Sequence, residues 1–192
     1  MYEIPTFIQS AGKKYKIRND GDFRTILDCF QALGDVELDS NERLVASLLI
    51  FYEDLNAVED LYNVDIQDLT AKMYNFFNCN QSSSGTESNH KLVDWEQDSQ
   101  LICSAVNKVA GFEIRSVKYL HWWTFMGYYM AIGESPISTI INIRDKIMRG
   151  KKLEKYEVEY RRNNPQFFMW NNKTVDEYEA ELLVKELWNS GG

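Results

Sequence analysis

Tyr119-Leu120-His121-Trp122-Trp123-Thr124-Phe125-Met126-Gly127-Tyr128-Tyr129-Met130 is the most apolar stretch of the chain, and its reading decides the fold class. At helical spacing its aromatic side chains point to all sides rather than along one stripe, the pattern of a helix buried at the centre of a domain. That helix is expected from Ser116 to Ile132, below the ~20 apolar residues of a membrane span. Amphipathic helices are expected around it. Phe23, Ile26, Leu27, Phe30 and Leu33 recur at helical spacing, and Gly34 is a natural stop. Asp39 with Glu42 forms a capping box for a helix over Leu44–Phe51, and a third helix fits Leu55 to Phe77. Downstream, Asp94 with Gln97 opens a helix that Gly111 ends, and Ser135-Pro136 opens another that Gly150 ends. A charged helix spans Lys151 to Arg162, ahead of Asn163-Asn164-Pro165. Thr174 with Glu177 starts an amphipathic C-terminal helix carrying Tyr178, Leu182, Val184 and Leu187. At the N-terminus, Phe7-Ile8-Gln9 and Tyr15-Lys16-Ile17 flank a glycine-containing loop, a β-hairpin that must rest on the helices because two strands alone are marginal. The expected fold is mainly α, a compact multi-helix domain with a short N-terminal β-hairpin.

The 192 residues fit one domain, which at this size buries roughly 70% of its unfolded surface. With 44% apolar residues, 14% aromatics and three prolines, the chain is neither disordered nor collagenous nor a disulfide scaffold. Residues 78–91 are expected to form a mobile loop, since 78–89 hold no aliphatic or aromatic side chain to bury. It reads as an insertion within a single domain over 1–188, and 189–192 as a frayed tail. Met1-Tyr2-Glu3-Ile4-Pro5 lacks the basic start and apolar core of a signal peptide.

Charge narrows the partners. A net charge of −8 argues against non-specific binding to nucleic acid or anionic membranes, which draws on clustered cations. Thirteen acids face only Arg24 and Arg43 between Asp20 and Asp68, whereas eight bases face four acids between Arg144 and Arg162. The favoured reading is two solvated faces of opposite bias, with electrostatic matching within or between molecules as the sharper alternative. Arg144, Lys146 and Arg149 are candidate partner-binding residues on the basic side. Three widely spaced cysteines (29, 79, 103) and two histidines make a zinc site or disulfide framework improbable and fit reduced thiols.

Catalytic signatures are absent: no phosphate loop, dinucleotide turn, nucleophile elbow, zinc-protease helix or EF-hand loop. Asp94, Glu96 and Asp98 read as first-turn capping acids rather than a metal site. His121 has no orienting acid or nucleophile in a linked motif, so a buried imidazole donating to a backbone carbonyl or a carboxylate is the better reading. Trp122 and Trp123 read as core volume. His90 lies in the expected loop and is assigned no role.

Two blocks carry a resemblance. One is Asp94-Trp95-Glu96-Gln97-Asp98 followed by Leu120-His121-Trp122-Trp123-Thr124-Phe125. The other is Gly12-Lys13-Lys14-Tyr15-Lys16-Ile17 leading to Asp22-Phe23-Arg24. In content and order they resemble the bacteriophage gene-product-fifteen family of tail-module proteins. That family carries a Glu-Gln-Asp helix start, a Leu-His-Trp-Trp-x-Phe run, and a Gly-Lys-x-Tyr-x-Ile hairpin before an Asp-Phe-Arg helix start. One lysine is inserted here. Gly21 stands where the family usually has Thr, which would be a better helix cap. Residues 78–89 and those beyond Asn163 have no clear counterpart.

The resemblance implies a small helical protein of the tail-assembly genes, expressed in the cytoplasm of the infected cell. It implies a role like that of tail assembly chaperones, which bind the tape measure protein and help recruit tail tube subunits. It supplies no catalytic residues, metal or cofactor. Self-association is a further expectation, and Leu183, Leu187 and Trp188 of the C-terminal helix are candidate contacts. Two other classes remain open: a structural tail-completion or adaptor subunit of the virion, and a phage inhibitor of a host factor.

Overall fold

The computed structural model describes residues 3–81 and 92–170 and the backbone of Lys173–Thr174. It is mainly helical with an N-terminal two-stranded antiparallel hairpin, as the sequence pattern predicts. Its contacts group into two units. The first comprises Met1–Thr86 with Val106–Ala131, the second Glu87–Ala105 with Ile132–Gly192. No helix among the described residues is long and apolar enough to cross a membrane.

In the first unit, β1 (Phe7–Ser10) pairs with β2 (Lys13–Lys16), Phe7 opposite Lys16 and Ser10 opposite Lys13. The two-residue loop puts Ala11 and Gly12 at positive φ, so its twist matches that of the strands. The Ser10 hydroxyl donates to Asp68, tying the hairpin to the helical body. Next come α1 (Phe23–Gly34), α2 (Ser40–Phe51) and α3 (Ile66–Phe77). The Asp39–Glu42 capping box is present, with Asp39 accepting the amides of Asn41 and Glu42 and Glu42 accepting that of Asp39. α1 packs on α2, and α2 on α3. Ile17, Ile26, Leu48, Phe51, Leu69 and Met73 are fully buried. Arg18 closes the far end of α2 by donating to the carbonyls of Leu49, Ile50 and Tyr52 at 3.0–3.1 Å.

Several expected boundaries move. The third helix begins at Ile66, not Leu55. Asp60 accepts the amides of Asn56 and Ala57 and draws Val58–Asn63 into a separate 3-10 turn, and Asp65 then caps the true helix. α4 (Ser99–Ala110) starts after a turn in which Asp94 accepts the amides of Glu96 and Gln97. The division between the units falls within this helix. The aromatic helix α5 (Trp122–Met130) is shorter than the expected Ser116–Ile132 because His121 is its cap: its Nδ1 accepts the Trp123 amide at 3.0 Å. Nor is it buried all round. Trp122 and Phe125 are buried, whereas Trp123 is half-buried and Met130 56% exposed. Its apolar surplus faces outward.

Residue 21 is not the cap of α1. Asp22 caps it, accepting the Arg24 amide at 3.0 Å, and Asn19, Asp20 and Gly21 form a left-handed turn before it (φ 52°, 52° and 79°). A Cβ on Gly21 would lie 2.9 Å from the Phe76 ring and 3.0 Å from His121 Nε2. Threonine at this position would therefore be strained here in conformation and crowded by both rings.

The second unit contains α6 (Pro136–Met148) and α7 (Lys155–Asn163), then β3 (Met169–Trp170) paired with β4 (Lys173–Thr174). Ser135 caps α6 with Pro136 in its first turn, and Gly150 at φ 61° ends it. α7 starts at Lys155 rather than Lys151, because Glu157 accepts the Glu154 amide at 2.8 Å. Ile140, Ile143, Ile147, Met148, Phe168 and Trp170 make one apolar cluster, flanked by Leu92, Leu101, Leu153, Tyr160 and Phe167. The expected loop opens as a hydrogen-bonded turn over 78–81; its remainder at 82–91, with His90, lies outside the described residues. So do the expected C-terminal helix beyond Thr174, with Leu183, Leu187 and Trp188, and the expected tail at 189–192.

Candidate functional site

In the first unit, the Asp-Phe-Arg block and the Leu-His-Trp-Trp-x-Phe block meet. The Phe23 amide donates to the Leu120 carbonyl at 2.9 Å, and the Leu120 amide donates to Asp22 Oδ2 at 2.9 Å. Arg24 grips Asp22 through Nη1 at 3.1 Å and reaches with Nη2 to the carbonyls of Val117 (2.8 Å) and Ile114 (3.2 Å). One acid and one guanidinium thus hold four backbone groups of an irregular segment about 90 residues away, the carbonyls of Ile114, Arg115 and Val117 and the amide of Leu120. Without them the Leu120 amide and the Ile114 and Val117 carbonyls would lose these partners. The guanidinium also lies 4.5 Å over the Phe23 ring, which stacks on Phe125 at 4.9 Å.

The paired indoles serve α3. Trp122 Nε1 donates to the Phe77 carbonyl at 2.9 Å and Trp123 Nε1 to that of Phe76 at 3.0 Å. Both are last-turn carbonyls with no partner inside the helix; that of Phe76 also accepts the Cys79 amide at 2.9 Å. Because His121 Nδ1 accepts from Trp123, the proton of the neutral ring sits on Nε2 and is donated to the Pro5 carbonyl at 3.1 Å. Burial holds this imidazole below its ordinary pKa, against the opposing pull of Pro5 and Asp22. A polar cavity of about 400 Å³ opens beside Asp22, Arg24, Asp28 and Lys118.

In the second unit, Asp98 receives Arg144. Nη1 donates to Oδ2 at 2.6 Å and Nη2 to Oδ1 at 3.0 Å, both side chains being wholly buried. Arg144 also donates to the carbonyls of Phe167 and Leu92 at 2.9 Å and lies 4.4 Å from the Trp170 ring. Read from sequence as an exposed candidate for partner binding, Arg144 is instead buried and unreachable by a partner. The two other candidate cations are paired within the chain. Lys146 lies 2.6 Å from Glu157, and Arg149 lies 2.7 Å from Asp145. Burial pushes the Glu157 carboxyl up, but Lys146 and the Glu154 amide outweigh it and hold it below the usual value. Lys146 is raised in return by its bond to Glu157.

Of the signature residues, Asp22, Phe23, Asp98, Leu120, His121, Trp122 and Phe125 are buried, and Arg24 and Trp123 half-buried. Hydropathy patterning and composition do not reveal Arg18, whose guanidinium binds its own chain as fully as that of Arg24. Its only sequence signal is a cation just after a strand. Cys29 is buried, and burial pushes its thiol up to about 12. Among the described residues no group of three or more His, Cys, Asp or Glu is placed to hold a metal ion.

These contacts define a mainly helical protein whose rare aromatic and charged motifs hold its own loops and helix ends. The chain belongs to the family described as bacteriophage Gp15 protein, whose model matches residues 2–167. That match runs past both ends of the two sequence blocks and takes in Asp98, Arg144 and Phe167 together. No curated protein and no solved structure matches the chain.

Proposed function

We propose that this phage protein acts as a tail assembly chaperone: in the cytoplasm of the infected cell it binds the tape measure protein and helps recruit tail tube subunits. The observation that carries the reading is the internal use of the signature. Asp22, Arg24, His121, Trp122, Trp123 and Asp98 all bind their own chain. Residues so engaged support a binding rather than a catalytic role, carried out by the outer surface. A long helical partner with apolar stripes aggregates when bare, and helix-in-groove contacts with an acidic protein would keep it apart and soluble. Each contact must be weak enough for tube subunits to displace it, so several copies acting together, by self-association or along one partner, supply the hold.

The test is co-expression of the chain with its cognate tape measure protein, followed by affinity capture and by mass spectrometry of purified particles. The expected result is capture from the cell together with near absence from the finished particle. Stoichiometric presence in purified particles would make it a virion subunit instead, and failure to capture the tape measure protein would remove the reading.

A further inference from the structure

On the outer side of α7, Val158, Pro165 and Met169 form an open apolar groove of about 520 Å³ above the buried Phe168, with Arg161 and Arg162 on its rim. Val158 is 53% exposed and Met169 38%. Thr174 is paired in register with Met169, so the chain leaves β4 beside a residue that lines the groove. Beyond β4 the sequence continues as Val175-Asp176-Glu177-Tyr178-Glu179-Ala180-Glu181-Leu182-Leu183-Val184-Lys185-Glu186-Leu187-Trp188, with five acids against one base. Wound as a helix, Val175, Tyr178 and Leu182 (i, i+3, i+7) share one stripe, with Glu179 and Glu186 along one border and Glu181 along the other. An apolar stripe edged with carboxylates complements an apolar groove edged with guanidinium groups.

We propose that this groove is the docking site for the chain's own segment 175–188, bound as an acidic helix with Val175, Tyr178 and Leu182 on Val158, Pro165 and Met169. The tether is almost nil, so the segment meets the groove at an effective concentration no free partner matches. At 1.5 Å per residue its fourteen residues span roughly 21 Å, ample to cover α7. Docked this way, the opposite stripe carrying Leu183, Leu187 and Trp188 faces outward as a surface for a second protein. The docking itself stands whether or not that protein is a tape measure.

Hydrogen exchange on the full chain, read by mass spectrometry at low and high protein concentration, tests it. The amides of 176–188 should be protected equally at both concentrations. In the variant Arg161→Glu/Arg162→Glu their protection should fall roughly 3- to 10-fold, as two lost surface ion pairs allow. Amides of α6 should keep theirs, which reports an intact fold. Adding Glu179→Lys and Glu181→Lys to that variant should restore it. Should the double arginine variant disturb α6, the exposed Val158→Ser gives the same readout. Unprotected amides in the parent chain overturn the proposal. So does protection that rises with concentration, which would place a second copy in the groove, or protection that ignores both sets of variants.

Discussion

Arg144 and Asp98 lie 46 residues apart and meet through two parallel hydrogen bonds of 2.6 and 3.0 Å, with neither side chain reached by solvent. A buried pair of this kind gains little over a well-packed apolar pair, because removing both charges from water is costly. Losing one partner is another matter, since the remaining charge is left buried and alone. Arg144 additionally holds the carbonyls of Leu92 and Phe167, so one guanidinium gathers three separate parts of the second unit.

Asp98→Ala should therefore destabilise the protein by about 3–5 kcal/mol in urea unfolding, and Arg144→Met by a similar amount. Arg144→Lys should not rescue, because an ammonium cannot supply the two-pronged contact and the carbonyl bonds together. The double variant Asp98→Leu/Arg144→Met should be more stable than either single one. Single variants within about 1 kcal/mol of the parent would mean that the pair does not hold the unit together.

Much of the fold is legible wherever the deciding partners are close in sequence. Asp39 and Glu42 announce α2 because a capping box is a local exchange of bonds. Ser135-Pro136 and Gly150 bracket α6 for the same reason. The failures share the opposite cause. α5 reads as starting at Ser116, but the backbone ahead of Trp122 is held open by Arg24 and Asp22, about 90 residues away. Arg144 reads as solvated because its neighbours are charged, and only the fold brings it to Asp98. The motif Leu-His-Trp-Trp-x-Phe is legible as rare and as interior. Its use, closing the end of α3 with two indole N–H groups, depends on a helix that no spacing rule links to it.

Trp122→Phe and Trp123→Phe separate hydrogen bonding from volume. Trp122→Phe leaves the Phe77 carbonyl without the indole donor, a loss of about 1–3 kcal/mol where water cannot replace it, whereas in Trp123→Phe the Phe76 carbonyl keeps the Cys79 amide at 2.9 Å. Trp122 is buried and Trp123 only half-buried, so the Trp122 variant should be the more destabilised of the two, with added cost from the void. Thermal unfolding of both gives the order. The reverse order would show that packing at Trp123, not the carbonyl bond, dominates.

His121 should make the first unit sensitive to mild acid. Burial holds its folded pKa below the unfolded value near 6.5, so the unfolded chain takes up the proton first. Its contribution is present above the unfolded pKa and is lost as pH falls toward the folded one. His121→Asn keeps an acceptor for the Trp123 amide but cannot be protonated in this range. Its urea midpoint should thus fall less than that of the parent between pH 7.5 and pH 5.5. Equal falls would remove His121 as the source.

Cys29 should be the last thiol to react. Burial raises it to about 12 and shields it, whereas Cys79 and Cys103 are half-buried. Alkylation of the native protein, followed by peptide mapping, should label Cys79 and Cys103 first and Cys29 only after denaturant is added. Native labelling of Cys29 at a comparable rate would show that the α1–α2 contact opens readily.

Gly12 and Gly21 share φ +79° and differ in what surrounds them. A Cβ on Gly12 meets nothing within 4 Å, so Gly12→Ala bears the left-handed backbone alone, about 1–2 kcal/mol. On Gly21 the same carbon presses on Phe76 and on the His121 ring, which itself anchors Pro5 and caps α5. Gly21→Ala should cost clearly more than Gly12→Ala in urea unfolding, and Gly21→Thr more again, because a branched side chain has still less room. Displacement of the ring gives an independent sign: the His121 imidazole resonances should shift in Gly21→Ala and stay in place in Gly12→Ala. Equal penalties with an unmoved imidazole would mean that the turn relaxes away from the helix, and that the close approach of residue 21 to His121 is not what fixes a glycine there.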